Sequence, residues 1–87
     1  MSGIKRNRQY RPYLLWYIQR CVKGVRGAAV SVYARDVCGV DKRCAHALRR
    51  LMMSLVEEGL ATQRRRGVYL IEKRVAEEVL TALKQWT

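Results

Sequence analysis

The chain has 87 residues, with 18 Lys and Arg against 7 Asp and Glu, for a formal net charge of +11. Its 49% apolar and 29% charged residues exclude a disordered chain, and its length suits one domain around one small core. No stretch approaches the ~20 apolar residues of a bilayer span, and the longest apolar run, Tyr13 to Ile18, is closed by Gln19 and Arg20 with no small-residue cleavage site.

From the start of the chain, residues 1–10 are polar and basic, with Lys5, Arg6 and Arg8 close together, and are expected to form a flexible arm ahead of a domain over residues 11–87. Pro12 suits the first turn of a helix running from about Arg11 to Val22. Tyr10, Leu14, Tyr17, Ile18 and Cys21 share one face of that helix, while Tyr13 and Trp16 fall on another. The segment from Lys23 to Gly27, with two glycines and two basic residues, reads as a loop. Ala28 to Val30 then forms a short extended piece, and Ser31 is a candidate N-cap for a brief helix over Val32 to Cys38. Gly39 is placed to end that helix.

Asp41 is expected to cap the next helix, which runs to about Glu58 and stops at Gly59. At 100° per residue, Cys44, Leu48, Leu51, Met52 and Leu55 gather on one side of it. Lys42, His46, Arg49, Arg50 and Met53 gather on the other, with Arg43 at the edge. Two strands, Leu60 to Arg65 and Val68 to Glu72, are joined by a tight turn at Arg66-Gly67. A last helix from about Lys73 to Trp86 carries Val75, Val79, Leu83 and Trp86 on one stripe.

That order, helix, short strand, helix, turn, helix, hairpin, helix, resembles the winged helix-turn-helix superfamily. The resemblance spans Ala29 to Ile71, about half of the chain, and is most specific at Leu55-Val56-Glu57-Glu58-Gly59-Leu60-Ala61. In that stretch Leu55 anchors a helix, Gly59 supplies the turn and Leu60 starts a strand aimed at the core. The implied fold is mainly α with a small β-hairpin, an α+β domain of order α-β-α-α-β-β-α.

The resemblance makes the helix over residues 42–58 the reader of a DNA major groove, which is ~12 Å wide and admits a helix. Arg49 and Arg50 then suit guanine edges, with His46 beside them, while Lys42 and Arg43 suit phosphates. The competing reading of this face is a solvated charged surface. Gln63, Arg64, Arg65 and Arg66 would form the tip of the wing, lying along the backbone or dipping into the minor groove. Their bland role is to blunt an exposed strand edge. Lys5, Arg6 and Arg8 are expected to add backbone or minor-groove contacts, unless the arm is idle. The resemblance also implies a homodimer through the first and last helices, with Trp16, Val79, Leu83 and Trp86 as contact residues.

Cys21, Cys38, Cys44 and His46 lack the close C-x2-4-C pairing of zinc sites, and the wheel turns Cys44 inward and His46 outward. No metal and no cofactor are expected. Free buried thiols are the default, with a disulfide from Cys38 to Cys21 or Cys44 as the alternative. Nothing resembles a phosphate loop or an activated nucleophile, and Glu57-Glu58 and Glu77-Glu78 are neighbours that diverge by about 100° on a helix, so no enzymatic activity is expected. The expectation is therefore a double-stranded DNA-binding regulator of the cytoplasm, associated with the nucleoid, from an archaeon, bacterium or virus. An RNA-binding or ribosome-associated protein and a protein-interaction module are the alternatives.

Overall fold

The computed structural model describes residues 3–85, with the side chains of residues 10–85. Its elements are α1 (Gly3–Lys23), β1 (Ala29–Tyr33), α2 (Ala34–Cys38), α3 (Lys42–Glu57), β2 (Thr62–Arg65), β3 (Val68–Glu72) and α4 (Ala76–Gln85). A single 3-10 turn, Lys73–Val75, leads into α4. The three strands form one antiparallel sheet in the order β1-β3-β2. The result is a compact α+β domain whose radius of gyration, 12.4 Å, is close to the ~12 Å of a well-packed chain of this length.

One core joins all the layers. α1 contributes Leu14, Leu15, Ile18 and Val22; α3 contributes Cys44, Leu48, Met52 and Leu55; α4 contributes Val79, Ala82 and Leu83. Val32, Tyr69 and Ile71 close it from the sheet. Of the apolar stripe expected on α3, Leu51 alone is not buried. Among the described residues no charged side chain is buried and no buried side-chain polar atom lacks a partner.

Both ends of α3 are fixed by local chemistry. Asp41 is the N-cap, and its Oδ1 accepts from the backbone N–H groups of Arg43 at 2.9 Å and Cys44 at 3.1 Å. At the other end Gly59 takes φ +77°, its N–H donates to the Val56 carbonyl, and Leu60 N–H donates to the Leu55 carbonyl at 2.8 Å. This pair of bonds is a Schellman stop, in which the left-handed residue must avoid a Cβ penalty. Leu55 is part of the core and the half-buried Leu60 packs against that core, in keeping with the apolar contact that accompanies such a stop.

Three expectations need correction. α1 begins at Gly3 and not near Arg11, because residues 4–11 contain no glycine or proline and are rich in the good helix formers Lys, Arg and Gln. Pro12 therefore lies inside α1. The side chains of Lys5, Arg6 and Arg8, assigned to an arm, lie outside the described ones. Secondly, Ser31 is not an N-cap: β1 continues to Tyr33, with Ser31 opposite Leu70 and Val32 opposite Tyr69. The branched Val30 and Val32 suit a strand, and the partner that extends it lies far along the chain. α2 is accordingly only five residues, Ala34–Cys38. Thirdly, Val79 and Leu83 are 0% exposed within the monomer core, so neither offers surface to a second copy. The stripe they form covers α1, against which α4 packs.

The cysteine default also changes. Cys38, the last residue of α2, and Cys44, in the first turn of α3, are joined by a disulfide with Cα atoms 5.5 Å apart. Cys21 is the free cysteine. The bridge spans the three-residue connection between the two helices, so helix, turn and helix are closed into one covalent loop.

Candidate nucleic-acid interface

The outward face of α3 is where the wheel puts it. Lys42, Arg43, His46, Arg49 and Arg50 are all exposed, and Met53 is half-buried among them. None of these basic side chains forms a salt bridge with a described residue. A solvated helical face usually intersperses acids with bases at i, i+4 to pair them. Here the acids of α3 are confined to Glu57, at its last position, with Glu58 just beyond.

Three interactions tie α1, α2 and α3 to one another. The hydroxyl of Tyr10 on α1 donates to Asp41 Oδ2, the second carboxylate oxygen of the α3 cap. The hydroxyl of Tyr13, one turn further along α1, donates to the Val37 carbonyl of α2 at 2.9 Å. The Cys38–Cys44 bridge is the third. The hydrogen bond from Tyr10, together with those from the Cys44 and Arg43 amides, holds the Asp41 carboxyl below its ordinary pKa despite some desolvation in the opposite sense. Sequence periodicity did not reveal these links. Their signal was the Tyr10-x-x-Tyr13 spacing, which puts both hydroxyls on neighbouring turns, but their partners lie on other elements.

The hairpin supplies the second basic surface. Gln63, Arg64, Arg65 and Arg66 are all exposed, and every residue of β2 faces solvent. The register pairs Gln63 with Tyr69 and Arg65 with Val68, leaving Arg64 as the extra residue of a β-bulge. A bulge re-aims side chains and sharpens local twist. β2 is an edge strand, so its charges also blunt that edge. The turn is closed by Gly67 at φ +77°, whose carbonyl accepts from the Ala34 N–H at 2.8 Å. This bond ties the hairpin tip to the first residue of α2. Burial pushes the pKa of the Tyr69 hydroxyl on β3 up, and the positive charge of Arg49 on α3 opposes that shift.

α1 carries the exposed aromatic surface. Trp16 is 51% exposed, with Tyr13 6.3 Å away between ring centroids and the Arg20 guanidinium 5.4 Å above its ring. Trp86, its expected companion, lies outside the described residues. Among the described residues no three His, Cys, Asp or Glu side chains gather as a metal site would require, and no helix is long and apolar enough to cross a membrane. Compared with protein-family models, with curated proteins and with solved structures, the chain matches none.

Proposed function

We propose that this protein binds double-stranded DNA as a winged helix-turn-helix module and acts as a transcriptional regulator or nucleoid-associated protein. In this reading α2, the turn at residues 39–41 and α3 are the helix-turn-helix, and the β2–β3 hairpin is the wing. The observation that carries it is the basic face of α3, Lys42, Arg43, His46, Arg49 and Arg50, which forms no salt bridge with a described residue and is held outward by a stripe buried on the opposite side.

A helix about 10–12 Å across with its side chains fits a major groove of about the same width. Arg49 and Arg50 lie on either side of His46 on the exposed face and can fork onto guanine O6 and N7, a contact of ~1–3 kcal/mol of discrimination each. Lys42 and Arg43, in the first turn, suit phosphates, where the helix dipole also favours negative charge. The arginines of the hairpin add affinity that falls with salt. The sheet edge needs blunting, but one or two charges suffice for that, and three adjacent arginines beside an already basic helix favour contact with a polyanion. No catalytic step belongs to this reading. A second copy would dock on the α1 surface around Trp16, which among the described residues of the expected dimer contact is the exposed one.

Fluorescence anisotropy with random duplex DNA, matched duplex RNA and single strands, each over a salt series, tests the proposal. Duplex DNA is expected to bind best, and replacing Arg49 and Arg50 together with Ala is expected to weaken it by about 30-fold or more, from at least ~1 kcal/mol per arginine. Tighter binding of duplex RNA would replace DNA with RNA as the partner. Failure to bind any nucleic acid would sink the reading in favour of a protein partner.

A further inference from the structure

An open groove runs between α1 and α3. Its floor is apolar, from Leu14, Ala47 and Leu51, and its rim carries Arg11 from α1 with Arg43, His46 and Arg50 from α3. No acidic residue is among its described lining. On α3 the lining positions 43, 47, 50 and 54 follow i, i+4, i+7, i+11, so they form one continuous stripe along the helix. At 100° per residue that stripe lies on the opposite flank of α3 from Arg49.

We propose that this groove holds backbone phosphodiesters of bound duplex DNA, making α1 part of the interface; the proposal rests on the duplex-binding reading above. Arg11 from α1 and Arg43 from α3 line the groove from two separate elements, and their planar forks match the paired oxygens of a phosphodiester. The apolar floor limits solvent beneath those oxygens and strengthens each charged contact. Arg43 stands in the first turn of α3, where the helix dipole adds to the attraction.

The arrangement favours a duplex over an isolated anion or an acidic peptide. A helix lying in a major groove has one phosphate strand on each flank. β2 of the arginine hairpin packs against α3, and the groove lies where α3 meets α1, so the two basic surfaces are placed to take the two strands. A charged face that served only for solubility would have no reason to be completed by an arginine from a second helix above an apolar floor.

The test compares the full chain with three variants, each first checked for unchanged fold by circular dichroism and thermal melting. Anisotropy with a labelled random duplex, from about 50 to 200 mM salt, gives the slope of log K against log salt, whose magnitude is ~0.9 for each phosphate that the protein neutralises. Arg11→Gln is expected to make the slope shallower by about that amount. Ala47→Glu, which puts a carboxylate on the groove floor, is expected to weaken binding at least about tenfold. Lys23→Gln removes the same charge from the far end of α1 and is expected to leave the slope unchanged. Should Ala47→Glu fail to fold, Arg43→Gln reads the same groove from α3.

Wild-type binding with a slope that Arg11→Gln does not alter overturns the groove site while leaving the duplex-binding reading intact. An equally shallow slope in Lys23→Gln overturns it too, by showing that only total charge matters. No binding of the wild type to duplex DNA overturns both.

Discussion

The hydroxyl of Tyr10 on α1 donates to the carboxylate of Asp41, the N-cap of α3, across 31 positions of sequence. One side chain thus serves two tasks, capping the helix through Oδ1 and anchoring it to α1 through Oδ2. Asp41→Ala removes both and is expected to lower the melting temperature by several degrees, on the order of 5 °C. Tyr10→Phe leaves the cap intact and should lower it by less. Thermal melting followed by circular dichroism checks the order; equal effects would show that the anchor, not the cap, dominates.

The same carboxylate makes a pH prediction. Asp41 has its pKa lowered in the folded state from the ordinary 3.8, chiefly by the Tyr10 hydrogen bond. Its contribution to stability is therefore complete above 3.8 and is lost as the pH falls from there through the lower folded value. Asp41→Asn keeps an acceptor for the cap but cannot ionise. The melting-temperature gap between wild type and Asp41→Asn is expected to be constant at neutral and mildly acid pH and to close below 3.8. A gap that stays the same well below 3.8 would show that the charge of Asp41 carries none of the effect.

Opening the Cys38–Cys44 bridge frees a short loop, with its two ends six positions apart. Loop-closure entropy for a ring of this size is worth about 2 kcal/mol, or roughly 10 °C in a domain this small. Calorimetry with and without a phosphine reductant measures it, and Cys38→Ser should reproduce the reduced value. Under native, oxidised conditions one thiol is expected to react, that of Cys21, and slowly, since burial raises its pKa and keeps thiolate scarce. Three fast-reacting thiols would show the bridge to be absent.

Leu83 is 0% exposed and lies where α4 meets the rest of the core. Leu83→Ala is expected to cost about 3 kcal/mol in urea unfolding, from the smaller transfer energy and the cavity left behind. Size-exclusion chromatography across a concentration range should show the same oligomeric state as wild type. A variant that keeps its stability but changes its oligomeric state would restore Leu83 to a subunit interface.

The parts of the molecule legible from sequence are those decided within a few residues. Asp41 as a cap, Gly59 as a stop and β3 over Val68–Glu72 all follow from neighbours or local turn chemistry. The buried stripe of Cys44, Leu48, Met52 and Leu55, with the exposed basic face behind it, follows from helical period alone. What stayed hidden depends on partners distant in sequence. β1 reaches Tyr33 because Val68 lies opposite it, and local propensity at Ser31 pointed the other way. Spacing left Cys38 a choice between Cys21 and Cys44, because it does not say how close α2 and α3 approach. Arg11 reads as the first residue of a helix, and only the packing of α1 on α3 brings it to the same groove as Arg43 and Arg50.

The bond from the Ala34 amide to the Gly67 carbonyl turns the hairpin and α2 into a single mechanical unit. The arginines at the tip are therefore not on a loose flap: any displacement of the turn pulls on the first residue of α2, and through the disulfide on α3. Load applied at one basic surface is transmitted to the other. The exchange rate of one amide proton, that of Ala34, becomes a natural gauge of how firmly the tip is seated, readable without attaching any label to the molecule.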